Sequence, residues 1–194
     1  QKVNKYDVSK IIQPLKKKNN IHKYSKGTTT IVAGSDIYPG AAILCSRAAF
    51  VSGSGYVKLF VSSDDAKLVK KIDIEIPEVI VKRLSNNCTK LLDDSSCCIG
   101  PGLTKSMENL KIYNNHMSYI IDAGGFLSFK TIKDFPRYSI ITPHIKEFQD
   151  IFNLSHSFIS CDLFKKIQKQ LNDKILILKS FNIFIITKDM IYIV

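Results

Sequence analysis

The sequence predicts one α/β domain, in which a mainly parallel β-sheet is covered by helices on both faces. Three observations carry this prediction. The chain has 194 residues, which is the usual length of one domain. Short apolar runs alternate with helical stretches along most of it. Most of those runs are continuously apolar, as is typical of strands that are buried on both faces.

In the first half of the chain, β-branched and apolar residues predict a strand over Thr28–Ala33. Small and apolar residues without a breaker predict a helix over Ala41–Val51, packed closely on the sheet. Tyr56–Val61 is the next apolar run and the next predicted strand. Isoleucine alternates with acidic residues over Ile72–Ile76, which predicts a more exposed strand. Residues 79–92 are predicted as a helix.

The second half repeats this rhythm. Strands are predicted where apolar and β-branched residues run together, over Ser96–Ile99, Ser118–Ile121, Tyr138–Ile141 and Ile175–Leu178. Helices are predicted between them, over residues 104–116, just after Gly125, from near His144, and over residues 158–172. For the helix near His144, we expect Thr142 as the N-cap and Pro143 as the first helical residue. A hairpin-like pair of strands is expected around Lys188-Asp189.

The net charge of +11 lies mainly at the amino end of the chain. Residues 1–26 hold eight lysines against Asp7 alone, a net charge of +7, and residues 27–194 carry only +4. Of the 28 basic residues 25 are lysine, whereas the recognition of base edges favours arginine. We therefore predict a solvated basic arm over residues 1–21 and no nucleic-acid partner. Nucleic-acid binding through this arm is the alternative.

The composition excludes several classes of protein. Hydrophobic residues make up 45% of the chain and charged residues 23%, which excludes a largely disordered or coiled-coil protein. The longest apolar stretch, residues 175–186, is interrupted by Lys179 and Asn182 and is too short to span a bilayer, so no membrane partner is expected. The five cysteines form no CxxC pair. We therefore expect buried free thiols in a cytoplasmic protein rather than disulfides or a zinc site.

Glycine-rich and polar loops follow five of the predicted strands. They are Gly34–Gly40, Gly100–Gly102, Asp122–Gly125, Thr142–His144 and Lys179-Ser180. In an open parallel sheet the carboxyl ends of the strands line one edge, and ligands bind in the crevice there. We therefore predict the ligand site at this edge. The alternative is that such turns need glycine, proline and aspartate for backbone reasons alone.

Four residues of these loops are candidates for ligand binding. Ala41 lies at the start of a helix whose exposed amides could face an anion, and Gly102 would let the backbone approach a flat or phosphorylated ligand. Asp122 could hold a hydroxyl, an ammonium or hydrated Mg²⁺, or it could cap its own turn. His144 could hydrogen-bond a ligand amide or phosphate. The sequence has no GxGxxG, Walker A, GxSxG or HExxH motif, which argues against the enzyme classes that these motifs mark.

Taken in order, several segments resemble the NAD(P)HX dehydratase family, the ribokinase-like family of the YjeF C-terminal domain. The matching blocks are HKYSKGTTTIVAGSDIYPGAAILCSRAAFVSGSGYVKL, CCIGPGL, IIDAGGF, IITPHIKEF and ILILKS, and they cover about residues 22–187. Any single block is weak, whereas the combination in this order is specific. The resemblance implies a ribokinase-like, three-layer αβα domain over residues 22–194.

The resemblance also implies an enzyme that repairs a damaged cofactor. Its substrate is NADHX or NADPHX, the hydrated form of NADH or NADPH. ADP or ATP, with Mg²⁺, phosphorylates the offending hydroxyl, and elimination of phosphate restores NAD(P)H. By block matching, the positions where the family binds the dinucleotide are Ala41, Gly102 and His144, and we add Asp122 to the predicted substrate site from its place at a strand end. The positions where it binds the adenine nucleotide are Lys179, Ser180, Phe181, Asn182 and Ile183.

Two features depart from the family pattern. The nucleotide segment of the family reads Lys-Gly-x-x-Thr, whereas this chain has Phe181 and Ile183 within that segment, so we expect Phe181 to add bulk near the phosphates. The family also carries a GGxGD block, whose glycine amides form an anion hole and whose aspartate is the general base. No such block occurs before Val194. The resemblance therefore implies a domain that is incomplete at its C-terminus, no catalytic residue within these 194 residues, and no turnover by this chain alone.

Two alternatives retain the same fold. One is a non-catalytic relic that still binds a dinucleotide, and the other is a kinase that acts on a different small hydroxylated substrate. In relatives this domain often follows an N-terminal epimerase domain, so such a domain or partner is expected. A homo-oligomer is left open.

Overall fold

A computed structural model describes residues 26–85, 95–106, 117–154 and 160–194. The predicted basic arm over residues 1–21, the three histidines other than His144, and most of the predicted helix over residues 104–116 lie outside these ranges.

One mixed sheet of nine strands runs through the described residues, in the spatial order β3-β2-β1-β4-β5-β6-β7-β8-β9. The strands are β1 (Thr28–Ser35), β2 (Tyr56–Ser62), β3 (Ile80–Arg83), β4 (Ser96–Ile99), β5 (Ser118–Ile121), β6 (Ser139–Ile141), β7 (Ile175–Lys179), β8 (Ile183–Ile186) and β9 (Ile191–Ile193). All neighbours from β3 to β7 are parallel, and the last two pairings are antiparallel. The predicted mainly parallel sheet and the hairpin around Lys188 are confirmed.

Helices lie on both faces of this sheet. They are α1 (Pro39–Val51), α2 (Ala66–Glu75), a 3₁₀ helix (Ala123–Ser128), α3 (Ile145–Ile151) and α4 (Cys161–Leu171). On one face, Ala42 of α1 and Ile72 of α2 pack with Ile31 and Leu59 of the sheet. On the other face the core contains Phe126, Phe148 and Phe164, from the 3₁₀ helix, α3 and α4, packed against side chains such as Val32, Ile99 and Leu176. Alternate residues of each strand therefore feed two separate cores.

The predicted strand over Ile72–Ile76 is wrong, because this segment belongs to α2. The N-cap of this helix is Asp65, whose side chain accepts a hydrogen bond of 2.8 Å from the backbone amide of Lys67. Ile72 and Ile76 lie four residues apart and are buried, whereas Ile74 is 69% exposed. The segment is thus about one turn at the end of an amphipathic helix. Five residues are too few to distinguish the helical period from the alternation of a strand.

The predicted helix over residues 79–92 is also wrong where the structure describes it. Residues Ile80–Arg83 form β3, which pairs with β2 in parallel register, and residues 86–92 lie outside the described ranges. Only Val81 of this strand is half-buried, and the other three side chains are exposed. This segment is a strand because its backbone pairs with β2. Its mostly exposed side chains do not form a pattern from which a strand could be predicted.

The sheet is less completely covered over β5 than over β1. Ile120 of β5 pairs with Cys98 of β4, and Cys98 pairs with Ile31, so the three side chains lie on the face that carries α1 and α2. Ile31 is 1% exposed, whereas Ile120 is 46% exposed. No helix within the described ranges is long and apolar enough to cross a membrane.

Candidate functional site

The loops at the carboxyl edge of the sheet are joined to one another by main-chain hydrogen bonds. Each loop donates from a backbone amide to a carbonyl of a neighbouring strand or loop. The bonds are Gly34 to Pro101 (2.8 Å), Gly100 to Val32 (3.0 Å), Asp122 to Ile99 (3.0 Å), Thr142 to Ile121 (3.1 Å) and Lys179 to Pro143 (2.8 Å). The five predicted loops therefore form one continuous rim, as the strand order requires.

Gly102 and Ala41 lie against each other at one end of this rim. The φ angle of Gly102 is +72°, and a Cβ built there would lie 2.8 Å from the Cβ of Ala41 and 2.9 Å from the carbonyl oxygen of Tyr38. Only glycine allows this approach. Tyr38 is the N-cap of α1 and provides no side-chain cap, so the first amides of the helix have no capping side chain. This end of the rim offers backbone donors and almost no side-chain bulk.

Asp122 is the centre of the other part of the rim. Its Oδ1 accepts a hydrogen bond of 2.8 Å from the Thr142 hydroxyl and one of 2.6 Å from the Lys179 ammonium. The two charged side chains remain partly accessible, 30% for Asp122 and 45% for Lys179. Asp122 makes no side-chain cap to the 3₁₀ helix that follows it. Of the roles that the sequence left open, the structure therefore contradicts capping, and a hydroxyl and an ammonium of this chain occupy Oδ1.

His144 caps α3, which corrects the expectation for Thr142 and Pro143. The Nδ1 atom of His144 accepts from the Glu147 backbone amide at 3.3 Å, and Glu147 Oε2 accepts from the His144 backbone amide at 2.8 Å. This is a reciprocal capping box. Thr142 is not the N-cap, since the helix begins at Ile145 and the Thr142 hydroxyl is bound to Asp122 instead. With Nδ1 an acceptor, Nε2 carries the proton of the neutral imidazole, and the side chain is 55% exposed.

His144 and Lys179 are neighbours across the rim. They form an isolated parallel β-bridge just beyond the pairing of β6 and β7. His144 therefore adjoins the Lys179–Asp122 pair through the backbone of Lys179, although its side chain is bound to Glu147.

The segment Lys179–Ile183 is a tight β-hairpin connection between β7 and β8. Lys179 pairs with Ile183, and the Ser180 hydroxyl donates a hydrogen bond of 2.5 Å to the carbonyl oxygen of Asn182. Phe181 lies at the tip with its side chain fully exposed. Lys179 is the residue of this segment that reaches Asp122. The expected bulk of Phe181 points to solvent instead of into the crevice.

The candidate residues thus form two groups that share one loop. Ala41 contacts Gly102, and Asp122, Thr142 and Lys179 are hydrogen-bonded. Gly100 joins the groups, because a Cβ built on it would lie 1.7 Å from the carbonyl oxygen of Asp122. The sequence analysis did not predict that Thr142 donates a hydrogen bond to Asp122. One signal could have indicated this contact, because Thr142 follows a predicted strand that neighbours, in parallel, the strand that ends at Asp122.

A family model described as NAD(P)H-hydrate dehydratase matches residues 29–194, which includes every residue of this rim. The chain belongs to the NAD(P)H-hydrate dehydratase family. The resemblance seen in the sequence is therefore confirmed at the level of the family, and the rim lies within the part of the chain that the family model covers.

Curated members of the family are similar to most of this chain. The chain is 30% identical over 134 residues to the bifunctional NAD(P)H-hydrate repair enzyme Nnr of Mycobacterium leprae, which covers 65% of this chain and 27% of that protein. It is 27% identical over 146 residues to the ADP-dependent (S)-NAD(P)H-hydrate dehydratase of Staphylococcus aureus, with 69% and 52% covered. The chain thus spans between about a quarter and a half of the length of these relatives.

Solved structures agree with the fold. The ADP/ATP-dependent NAD(P)H-hydrate dehydratase of Bacillus subtilis, co-crystallised with ATP and Mg²⁺, superposes with a TM-score of 0.70 at 25% identity, and the match covers 92% of this chain and 67% of that one. A ribokinase-like superfamily protein of Enterococcus faecalis superposes with a TM-score of 0.74 at 21% identity, covering 89% and 64%. This member of the NAD(P)H-hydrate dehydratase family therefore has the ribokinase-like α/β fold that the sequence predicts.

Proposed function

We propose that residues 22–194 form the NAD(P)H-hydrate dehydratase domain of a protein that repairs NADHX or NADPHX with ADP or ATP. The phosphoryl group of the nucleotide passes to the hydroxyl on the hydrated nicotinamide ring, and inorganic phosphate then leaves with formation of the ring double bond. With ATP, the products are NAD(P)H, ADP and phosphate. The observation that carries this proposal is the contact between Lys179 and Asp122 at the carboxyl edge of the sheet.

This contact supplies a movable cation where phosphates are to be bound. Lys179 is partly exposed and bound to one carboxylate oxygen, so its ammonium can turn toward an incoming phosphate at little cost. Phosphoryl transfer is catalysed mainly by positioning and by cations that neutralise the phosphate oxygens. The other four residues of the nucleotide segment, Ser180, Phe181, Asn182 and Ile183, form the hairpin behind Lys179 and would bind the remainder of the nucleotide.

Mg²⁺ would arrive with the nucleotide rather than reside in a site of its own. Among the described residues, no group of three or more His, Cys, Asp or Glu side chains could hold a metal ion. Mg²⁺ is commonly held by one or two carboxylates together with substrate phosphates. Asp122 fits this chemistry, because its hydrogen bonds to Thr142 and Lys179 use Oδ1 and leave Oδ2 for the ion or its water.

The dinucleotide is assigned to the end of the rim formed by Ala41 and Gly102, together with His144. Small side chains let a flat or phosphorylated group lie directly on the backbone there, and the uncapped amides of α1 favour an anion. The Nε2 atom of His144 lies 3.4 Å from Glu147 Oε1, and on this half-exposed side chain we propose that it turns from that carboxylate to donate to the ligand. We assign binding and orientation to these residues and no proton abstraction, since the resemblance places the general base in a GGxGD block that the 194 residues do not contain.

The proposed setting is a cytoplasmic protein with a second catalytic domain. The Nnr relatives are named as bifunctional, which favours an epimerase domain or partner for this chain also. The thiols of Cys45 and Cys98 are hydrogen-bonded to each other, which lowers the pKa of Cys45 and raises the pKa of Cys98. We propose a reducing compartment for these free thiols, because disulfides are rare there. Cys161 is exposed, contrary to the expectation of buried thiols.

Thermal melts with candidate ligands test the proposal. A ligand at a hundred times its Kd stabilises the folded state by about 2.7 kcal/mol, which for a chain of this size raises Tm by roughly 5–10 °C. We expect such shifts from ADP or ATP and from NADHX or NADPHX. No recovery of NADH absorbance is expected from these 194 residues alone, and recovery after a family-like segment with the GGxGD block is appended would separate the repair enzyme from the non-catalytic relic. Stabilisation by a synthetic polyanion alone would contradict the proposal and favour nucleic-acid binding.

Replacing Ala41 with leucine is expected to weaken NADHX binding by about tenfold, because the larger side chain occupies the space over Gly102. The matched control is Ala48→Leu, the same substitution at an exposed position of α1. Calorimetric titration of both variants gives the affinities, and melts confirm that both are folded. Equal affinities in the two variants would remove Ala41 from the site.

Replacing His144 is expected to separate its capping role from its binding role. His144→Ser keeps an N-cap for α3, so the unfolding free energy should change by less than about 1 kcal/mol. The variant lacks the Nε2 donor, and we expect its affinity for NADHX to fall by about three- to tenfold. A variant with wild-type affinity would show that His144 is a helix cap and nothing more.

A further inference from the structure

A basic pocket lies at the amino edge of the sheet, at the opposite ends of the strands from the rim described above. It has a volume of about 590 Å³, and its charged lining consists of four cations and one carboxylate, Lys133, Arg137, Lys174, Lys188 and Asp173. We call it the amino-edge pocket. Its volume lies within the range of small-molecule sites.

The topology of the sheet brings these distant residues together. Arg137 lies just before β6, and Lys174 lies just before β7. Leu176, near the start of β7, pairs with Ile186 at the end of the antiparallel strand β8. The turn that follows β8 and carries Lys188 is therefore placed beside Lys174.

Lys174 is the most informative residue of the pocket. It is only 7% exposed, yet no hydrogen bond or ion pair to its ammonium occurs among the described residues. Burial lowers the pKa of Lys174, and the nearby charge of Asp173 partly opposes this shift. The ammonium itself is not fully buried, since Ser46 Oγ is the one fully buried side-chain polar atom without a partner among the described residues. The stem of Lys174 is therefore packed while its ammonium reaches the pocket, where an anion from outside the chain can pair with it.

The carboxylate of the pocket does not pair with Lys174. The Asp173 Oδ2 atom accepts from Arg137 Nη2 at 2.7 Å and from Arg137 Nε at 3.1 Å. The pKa of Asp173 is lowered, chiefly by this hydrogen bond and also by the charges of Lys188 and Lys174. One of the four cations is thus neutralised, and the pocket keeps three positive charges in excess.

We propose that the amino-edge pocket binds a small oligophosphate, a ligand with two or three linked phosphate groups. The pocket has three uncompensated cations and is larger than a single phosphate requires. Its charge and size therefore match those of such a ligand. The strand β7 separates Lys174 from Lys179 by roughly 16 Å, so this ligand does not share the nucleotide site at the carboxyl edge. The proposal does not depend on the proposed function.

Lysine footprinting on the full chain locates the ligand. The protein is acetylated with a limiting reagent in the presence and absence of inorganic tripolyphosphate, and each lysine is quantified by mass spectrometry. We expect protection of Lys133, Lys174 and Lys188, and none at Lys70 on α2. Protection restricted to Lys179, or equal at all exposed lysines, overturns the proposal.

Affinities of variants supply the second test. We expect the Kd for tripolyphosphate to rise about tenfold in Lys133→Gln and in Lys188→Gln, and less than twofold in the charge-matched control Lys70→Gln. Lys174→Met should weaken binding by a similar factor, because it removes one of the three cations that face the ligand. ATP binding with the same affinity as tripolyphosphate would assign recognition to the phosphates alone, and tighter ATP binding would identify a nucleotide ligand. Unchanged affinity in all three pocket variants would refute the site.

Discussion

Gly100→Ala is expected to destabilise the protein by at least about 3–5 kcal/mol, from backbone strain and steric overlap together. The φ angle of Gly100 is +123°, a conformation that side chains rarely adopt, and a Cβ there would lie 1.7 Å from the Asp122 carbonyl oxygen and 2.5 Å from the Gly125 backbone nitrogen. Both neighbours are main chain, so neither can turn aside. For a chain of this size the expected fall in Tm is roughly 6–20 °C, measured by calorimetry or circular dichroism.

Two other glycines provide matched controls for this substitution. Gly53 has a φ angle of +101°, but a Cβ placed on it would meet nothing within 4 Å, so Gly53→Ala reports backbone strain alone, about 1–3 kcal/mol. Gly40 lies in α1 with open space around it, and Gly40→Ala is expected to stabilise by about 0.5–1 kcal/mol. A Gly100→Ala protein as stable as Gly53→Ala would show that the rim can open without cost at this point.

Lys179→Met is expected to weaken ADP binding by about 10–100-fold while leaving the fold almost unchanged. The affinity falls because the only cation bound to Asp122 in the described rim is lost, and a charged hydrogen bond to phosphate is worth about 1.5–3 kcal/mol. The stability of the free protein should change by less than about 1 kcal/mol, since the ion pair is partly exposed. Calorimetric titration and thermal melts on the same variant measure the two effects.

Two further variants identify the source of the lost affinity. Lys179→Arg retains the charge and should recover part of the binding, with the deficit due to its different geometry. Asp122→Asn releases Lys179 but removes the carboxylate offered to Mg²⁺, so we expect weaker binding of the nucleotide with Mg²⁺ than without it. If Lys179→Met bound ADP like the unmodified chain, the nucleotide assignment at this edge would be wrong.

The architecture could be predicted from the sequence, and so could the edge of the sheet at which the candidate loops meet. Continuous apolar runs such as Ile175–Leu178 are a strong signal of buried strands, and the topology of a parallel sheet then places every following loop on one edge. The placement of Ala41 beside Gly102 follows from the same argument. The local sequence pattern could not predict elements whose structure depends on contacts with residues far away in the chain. Ile80–Arg83 is a strand through its pairing with β2, and His144 rather than Thr142 caps α3 through its contacts with Glu147.

The amino-edge pocket was beyond sequence reasoning for a different reason. Its cations are distributed over residues 133–188. The chain has 25 lysines, so no single lysine stands out in the sequence as a candidate for a binding site. Their convergence depends on the register of an antiparallel pair, Leu176 with Ile186, and a shift of two residues in that register would carry Lys188 away from Lys174. Register of this kind depends on the whole sheet.

The main-chain bonds that join the loops of the rim bear on how such a site can evolve. Gly34 to Pro101 and Lys179 to Pro143 are amide-to-carbonyl contacts, which survive most side-chain substitutions on either partner. The main-chain positions of the loops around the crevice therefore depend little on which side chains line it. Residues of the loops can be exchanged one at a time while the loops keep their spacing. Substrate preference can diverge within such a frame long before the frame itself is lost, which suits proteins that retain one architecture at 20–30% identity.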